Sequence, residues 1–176
     1  MSELNKRKSR LWVLLAGLTA WGCGIAAQAD VDAAVSKANR ILVDKSDRKL
    51  TLFRNGKAVR TYRVALGLNP TGHKQFEGDR RTPEGIYLID RRNPDSNYHL
   101  SLHISYPNER DIRAAQARGD DPGGQIMIHG MPNGRLIKTS SHYESDWTDG
   151  CIAVSNAAMA EIWTLVDDGT LIEITP

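Results

Sequence analysis

The chain has 176 residues, of which 40% are hydrophobic, and its formal net charge is +2. This length suits one domain with its own hydrophobic core and leaves little room for a second domain. The 23 Lys and Arg residues nearly balance the 21 Asp and Glu residues, so the chain lacks the strong basic excess that is typical of nucleic-acid-binding proteins.

The first 29 residues have the three parts of a secretory signal peptide in order. A basic segment at 6–10 precedes an apolar segment at 11–21, and Ala27-Gln28-Ala29 offers small residues for cleavage. We therefore expect export to the periplasm or cell envelope, with a mature chain that begins at Asp30. Cleavage removes four basic residues and one acidic residue, which changes the formal net charge from +2 to −1, so we expect no nucleic-acid partner. An uncleaved membrane anchor and lipidation at Cys23 remain alternatives.

After a short tether at 30–39, the chain has the pattern of a mostly β domain. Residues 49–54 alternate apolar and polar side chains, and Asn55-Gly56 is a strong hairpin signal before the returning strand. Apolar residues recur at helical spacing after Asn156. The pattern predicts a compact, β-sandwich-like domain with two short helices. The predicted strands are 40–44, 49–54, 57–66, 86–89, 98–106, 125–129 and 170–174, and the predicted helices are 111–118 and 156–166.

Residues 67–85 contain four glycines and two prolines, which predicts a long loop. The charged side chains of this loop either form a solvated surface or line a groove for a charged peptide, and the composition leaves both interpretations open. These side chains are His73, Lys74, Glu77, Asp79, Arg80 and Arg81.

The predicted strand at 98–106 raises the question of a metal site, because His99 and His103 would project from the same face. Four strand residues span about 13 Å, which is too far for two ligands of one ion. The other Cys, His and carboxylate residues do not have the spacing of a known metal motif. We therefore expect no metal and no cofactor.

Cys151 and His129 have the chemistry of a nucleophile and a base. His129 ends a predicted strand and is followed by Gly130, whereas Gly150 directly precedes Cys151. After signal cleavage Cys151 would be the remaining cysteine, and a lone thiol in an oxidising compartment is a liability unless it is buried or used. A thiolate beside an imidazole is what acyl-transfer chemistry needs. A core histidine and a buried, inert cysteine are the alternative.

The sequence around these residues resembles the L,D-transpeptidase family, whose YkuD-type catalytic domain remodels bacterial peptidoglycan. The family pattern is His-Gly, a loop, and then Ser/Thr-His-Gly-Cys. Here His129-Gly130 is followed by the 17 residues 131–147 and then by Thr148-Asp149-Gly150-Cys151. The sequence Thr-Pro-Glu-Gly at 82–85 resembles a second family motif, and the likeness extends over about residues 40–174. Two motifs in register make the resemblance specific.

Two residues depart from the common family pattern. Asp149 stands where the pattern has His, and Ala153 stands where it has Asn or Arg. These substitutions resemble a branch of the family with the pattern W-T-x-G-C-x-A-V, whose members include transpeptidases and enzymes that hydrolyse peptidoglycan-linked bonds. The resemblance therefore leaves open whether an amine or water accepts the acyl group.

The resemblance implies a role for each site residue. Cys151 would attack the carbonyl carbon of the bond between diaminopimelate and D-alanine in a stem tetrapeptide. His129 would take the thiol proton, with its ring oriented by the backbone carbonyl of Gly130. The backbone N–H groups of Gly150 and Cys151 would stabilise the oxyanion. The candidate substrate-binding residues are Tyr143, Trp147, Thr148 and Asp149.

The resemblance also implies the partners. Peptidoglycan stem peptides would be the substrates, an amine of a second stem peptide or of a lipoprotein would be the acceptor, and we expect a monomer. One alternative is an L,D-carboxypeptidase, or a hydrolase that releases peptidoglycan-linked protein. The other is a non-catalytic module that binds the cell wall.

Overall fold

The computed structural model describes residues 36–134 and 143–176, which contain eight β-strands and two α-helices. The predicted signal peptide, Cys23 and most of the predicted tether lie outside these residues. The strands are β1 (Arg40–Asp44), β2 (Lys49–Arg54), β3 (Lys57–Arg63), β4 (Gly85–Asn93), β5 (Ser101–Ile104), β6 (Met127–His129), β7 (Ile152–Ala153) and β8 (Leu171–Thr175). The helices are α1 (Glu109–Gln116) and α2 (Asn156–Leu165).

The eight strands form one curled sheet with the order β3-β2-β1-β8-β4-β5-β6-β7. Strands β1 to β3 form an antiparallel meander, and β1 pairs in parallel with β8. At the other end of the sheet, β6 pairs antiparallel with β5 and in parallel with β7. The prediction of a mostly β domain with two short helices is confirmed, and this order leaves β6 and β7 side by side at one edge.

Local sequence signals account for the predicted hairpin and for the starts of both helices. Asn55 and Gly56 have φ angles of 50° and 78°, the left-handed conformation that a tight hairpin turn between twisted strands requires. In α1, Asn108 accepts hydrogen bonds from two N–H groups while Asp111 accepts one from Asn108 N–H, which is a capping box. Ser155 caps α2 by accepting a hydrogen bond from Ala158 N–H at 3.1 Å.

Three predicted strands are longer than the observed ones. The strand predicted at 125–129 begins only at Met127, as β6. The strand predicted at 98–106 is limited to β5, because His99 has a φ of 66° and breaks the alternation. All four residues of β5 are buried. The strand predicted at 57–66 ends at Arg63, after which Ala65 pairs with Ala153 and Gly67 pairs with Thr148. This departure from the meander brings residues 64–68 to the end of β7.

A single hydrophobic cluster joins the strands and α2. Met159 and Ile162 of α2 are fully buried in this cluster, together with Ile128 of β6 and Ile152 of β7. The pairing of β6 with β7 is therefore part of the core.

In the part of the chain that the structure describes, no helix is long and apolar enough to cross a membrane. The same residues contain no group of three or more His, Cys, Asp or Glu side chains that could hold a metal ion.

Candidate active site

The pairing of β6 with β7 brings His129 and Cys151 to one face of the sheet. His129 pairs in parallel with Ala153, and Cys151 comes two residues before Ala153. Side chains two residues apart in a strand point to the same face, so Cys151 lies diagonally beside His129, about 8 Å away between Cα atoms by strand spacing. Both side chains line one cavity of about 650 Å³, which we call the histidine groove. A thiol and an imidazole thus face the same space.

The ring of His129 is held by the residue that follows it. Its Nδ1 lies 2.7 Å from the carbonyl oxygen of Gly130, and the side chain is buried. Gly130 N–H in turn donates to Tyr98 O at 3.0 Å. A Cβ atom at Gly130 would lie 2.6 Å from Asn156 Oδ1 and 2.9 Å from His99 Cβ, so any other residue would have to push the backbone away. The close packing at Gly130 therefore fixes the orientation of the histidine.

Two aromatic side chains flank His129. The ring of Tyr98 lies 4.6 Å from the imidazole and the ring of Trp147 lies 5.8 Å from it, measured between centroids. The indole Nε1 of Trp147 is buried and has no hydrogen-bond partner among the described residues. Trp147 is a predicted site residue, whereas the sequence reasoning missed Tyr98. Tyr98 directly precedes His99, whose positive φ no local sequence pattern indicates.

The thiol of Cys151 is half-buried and lies 3.5 Å from Gln125 O. Burial raises the pKa of the Cys151 thiol above its ordinary value, and the Asp149 carboxylate raises it further. A hydrogen bond from Met127 N–H and the positive charge of Lys74 act in the opposite direction. Because the thiolate is the reactive form, this environment makes a base necessary at neutral pH.

The hydroxyl of Thr148 organises the turn before Cys151. Thr148 Oγ1 donates to Cys151 O at 2.7 Å and accepts from Gly150 N–H at 3.1 Å, and the side chain is 5% exposed. Gly150 has a φ of 129°, and a Cβ atom there would lie 2.7 Å from Arg81 O. The N–H group of Gly150, a predicted oxyanion donor, is therefore already used inside the turn.

The segment before this turn is attached to residues 64–68. The N–H groups of Trp147 and Thr148 both donate to Leu66 O at 3.1 Å, and Leu68 N–H donates to Thr148 O at 2.9 Å. The carboxylate of Asp146 accepts a hydrogen bond from Leu66 N–H at 2.8 Å. The position of Cys151 thus depends on a stretch about 80 residues earlier in the chain.

Asp149 lies at the mouth of the site, where its side chain is 90% exposed. Its Oδ1 is 3.6 Å from Nε of Arg80. Both side chains line a second cavity of about 470 Å³, which we call the arginine groove. The two grooves share Gln125, Asp149 and Cys151, so Cys151 lies where they meet.

Tyr143 lies apart from the other predicted site residues. Its hydroxyl accepts a hydrogen bond from Ser155 N–H at 3.0 Å, and the guanidinium of Arg63 lies 5.3 Å from its ring centroid. It does not line either groove in the described part of the chain, whereas Trp147, Thr148 and Asp149 all line the histidine groove. Tyr143 is therefore associated with the start of α2.

The fold and the site together define a mostly β domain in which a cysteine and a histidine face one groove beside the last strand pair of the sheet. Residues 38–174 match the family of L,D-transpeptidase catalytic domains (YkuD). The chain belongs to this family.

Similar proteins agree with this assignment. The Escherichia coli K12 protein YafK is 29% identical over 132 residues, which cover 72% of this chain and 46% of YafK. The helical cell shape determining protein Pgp2 of Campylobacter jejuni is 27% identical with a TM-score of 0.59, over 79% of this chain and 48% of Pgp2. An L,D-transpeptidase from Xylanimonas cellulosilytica has the same fold, with 19% identity and a TM-score of 0.51, over 86% of this chain and 70% of that one. The chain spans about half the length of YafK and of Pgp2.

Proposed function

We propose that this protein is an L,D-transpeptidase of the cell envelope that acts on the stem peptides of peptidoglycan through a Cys151 thioester. The observation that carries the proposal is that Cys151, directly before β7, and His129, at the end of the adjacent β6, line one groove in a chain that belongs to the L,D-transpeptidase family. The predicted signal peptide supports export, and the likeness to Pgp2 supports a role in cell wall organisation or cell shape.

In the first half of the reaction His129 takes the proton of the Cys151 thiol. The thiolate attacks the carbonyl carbon of the bond between diaminopimelate and D-alanine, and the electron pair of the carbonyl moves to its oxygen. The oxyanion then collapses, the carbon–nitrogen bond breaks, and D-alanine leaves with the proton that His129 returns to its amine. The product is a thioester between Cys151 and the shortened stem peptide.

In the second half an amine of another stem peptide or of a lipoprotein attacks the thioester carbonyl. His129 removes a proton from this amine, the carbon–sulfur bond breaks, and Cys151 leaves as the thiolate. A new amide bond forms, and the net reaction exchanges one amine for another. The two grooves that meet at Cys151 provide space on both sides of the thioester, one for the acyl donor and one for an amine acceptor.

The hydrogen bonds of the site support these roles. A carbonyl oxygen only accepts, so the contact between Gly130 O and Nδ1 assigns the imidazole proton to Nδ1 and leaves Nε2 as the basic nitrogen. Because Gly150 N–H donates to Thr148 Oγ1, we assign the oxyanion donor of this turn to Cys151 N–H. The indole of Trp147 lines the histidine groove and supplies an apolar wall for the substrate.

The proposal is tested by incubating the purified protein with a disaccharide tetrapeptide and following products and enzyme by mass spectrometry. Transfer gives a cross-linked dimer, free D-alanine and a transient adduct on Cys151, whereas Cys151→Ala gives none of these and keeps the wild-type unfolding temperature. Free tripeptide without dimer would identify an L,D-carboxypeptidase instead. Absence of any adduct on Cys151, with the tetrapeptide and with a carbapenem, would identify a non-catalytic wall-binding module.

A further inference from the structure

The proposed reaction assigns no role to the charged side chains of the arginine groove. Arg80, Glu77 and Asp149 line this groove, and the small residues Gly78, Gly123 and Gly124 leave it open. Lys74 also lines it, but its Nζ lies 2.8 Å from Asp79 Oδ1 in an ion pair whose side chains are 3% and 4% exposed. Arg80 is therefore the accessible cation of the groove, and Glu77 is an exposed anion beside it.

The backbone holds Arg80 firmly although its side chain is exposed. Its carbonyl oxygen accepts a hydrogen bond from Asn69 N–H at 3.0 Å, and a Cβ atom at Gly67 would lie 2.2 Å from it. Arg80 has a φ of 57°, which is uncommon for a residue other than glycine. The next residue, Arg81, packs its carbonyl oxygen against Gly150. The base of the Arg80 side chain is thus fixed relative to the turn that carries Cys151.

The reaction determines which part of the substrate enters which groove. His129 returns a proton to the leaving amine and takes one from the incoming amine, so both amines must lie on its side, in the histidine groove. His129 lines only that groove. The acyl residue bonded to Cys151 must then extend in the other direction, into the arginine groove.

We propose that the arginine groove recognises the far end of the diaminopimelate side chain of the acyl donor, with Arg80 binding its carboxylate and Glu77 binding its ammonium group. This inference rests on the proposed function. Diaminopimelate carries a carboxylate and an amino group on the same carbon at the end of its side chain. The groove offers the accessible cation Arg80 and the exposed anion Glu77, in addition to the Asp149 carboxylate that lies near Arg80. A guanidinium binds a carboxylate through two parallel hydrogen bonds, which makes Arg80 selective for this group.

The same arrangement gives Asp149 a role. In the free protein Asp149 is the partner of Arg80, and at 3.6 Å the two groups are close but do not form a short hydrogen bond. Both side chains are largely exposed, so their ion pair contributes little stability and is easily exchanged. Asp149 holds the guanidinium of Arg80 at the groove in the free protein. When the substrate binds, its carboxylate replaces Asp149 as the partner of Arg80.

The test compares three tetrapeptides that differ only in the third residue, which is diaminopimelate, diaminopimelate amidated at its far carboxylate, or lysine. The measured quantity is kcat/KM for acylation of Cys151, read as adduct formation by intact mass. The wild-type protein should prefer diaminopimelate over both analogues by about tenfold, as expected for one charge-assisted contact at a partly exposed site. Arg80→Gln should lose the preference over the amide, and Arg80→Lys should keep part of it.

Matched controls come from an exposed ion pair outside both grooves, Arg113 with Glu109 in α1. Arg113→Gln and Glu109→Gln should leave the preference for diaminopimelate over its amide unchanged. Glu77→Gln is a test variant, and it should weaken binding of diaminopimelate and of its amide to the same extent. If the wild-type protein does not discriminate, or if Arg80→Gln discriminates as well as the wild type, the role of Arg80 is wrong and the proposed function stands. If no tetrapeptide acylates Cys151, the proposed function fails and this inference fails with it.

Discussion

Arg48, in the turn after β1, binds the carboxylate of Asp146, with Nη2 2.8 Å from Oδ2. The two residues are 98 positions apart, and Nε of Arg48 contacts both carboxylate oxygens at 3.1 and 3.2 Å. Asp146 also accepts the hydrogen bond from Leu66 N–H. A single carboxylate thus joins the turn after β1 and the stretch at 64–68 to the segment that leads to Cys151.

Removing Asp146 should cost more stability than removing its partner. Asp146→Ala leaves Leu66 N–H without its acceptor, and we expect the free energy of unfolding to fall by about 2 kcal/mol. The Arg48 side chain is 37% exposed, so Arg48→Ala should cost less than about 1 kcal/mol. Urea unfolding of the two single variants and the double variant measures both effects and their coupling. An equal cost for both single variants would show that the Leu66 contact contributes nothing.

Replacing Thr148 by Val should loosen the turn before Cys151. The shape of the side chain is kept, but Gly150 N–H and Cys151 O lose their partner, so we expect a loss of stability of about 1–3 kcal/mol. Acylation of Cys151 should also slow, because the turn no longer holds the thiol. Thr148→Ser retains the hydroxyl and is the control. The prediction fails if Thr148→Val and Thr148→Ser acylate at the same rate.

The pH dependence of thiol reactivity should respond to Asp149. The negative charge of Asp149 disfavours the thiolate, so Asp149→Asn should lower the pKa of Cys151 and increase the thiolate fraction at neutral pH. The rate of alkylation by iodoacetamide, measured from pH 6 to 10, should then rise at lower pH than in the wild-type protein. Glu109→Gln, on the exposed face of α1, is the control and should not move the profile. A shift towards higher pH would contradict the assigned sign.

Removal of the imidazole should reduce the reactivity of the thiol. Burial raises the pKa of Cys151, so without a base His129→Ala should alkylate more slowly than the wild-type protein at pH 7. His99→Ala keeps the Cβ atom that packs against Gly130 and removes a histidine ring outside both grooves, which makes it the matched control. Equal alkylation rates for His129→Ala and the wild-type protein would exclude His129 as the base.

The sequence predicted the elements whose signals are local. The bounds of β1 and β2 agree with the prediction, because the apolar run at 41–43, the alternation at 49–54 and the Asn55-Gly56 turn all act within a few residues. The start of α2 agrees as well, because Ser155 caps it through its own side chain. The prediction was wrong for both ends of the strand at 98–106. At its start His99 adopts a left-handed conformation, and its N–H donates to Asn133 Oδ1, 34 residues along the chain.

The parts of the site that the sequence missed depend on contacts between distant segments. Tyr98 reaches His129 only because the backbone turns at His99, and Asp146 holds its segment through Arg48 and Leu66. The composition of the loop at 67–85 is compatible with both a solvated surface and a groove wall. In the structure Lys74 and Asp79 are buried against each other, while Glu77 and Arg80 line a groove. Composition cannot distinguish a buried charged side chain of this loop from an exposed one, because burial depends on which other segments pack against the loop.

The parallel pairing of β6 with β7 fixes the separation of His129 and Cys151 through the hydrogen-bond register of the sheet and the core beneath it. The side chains that line the two grooves come mostly from the connecting loops. Loop residues that do not hold the turn before Cys151 can therefore be exchanged in an engineered variant while the pairing of β6 with β7 is kept. A domain built in this way can acquire new acyl donors and acceptors while it keeps its chemistry.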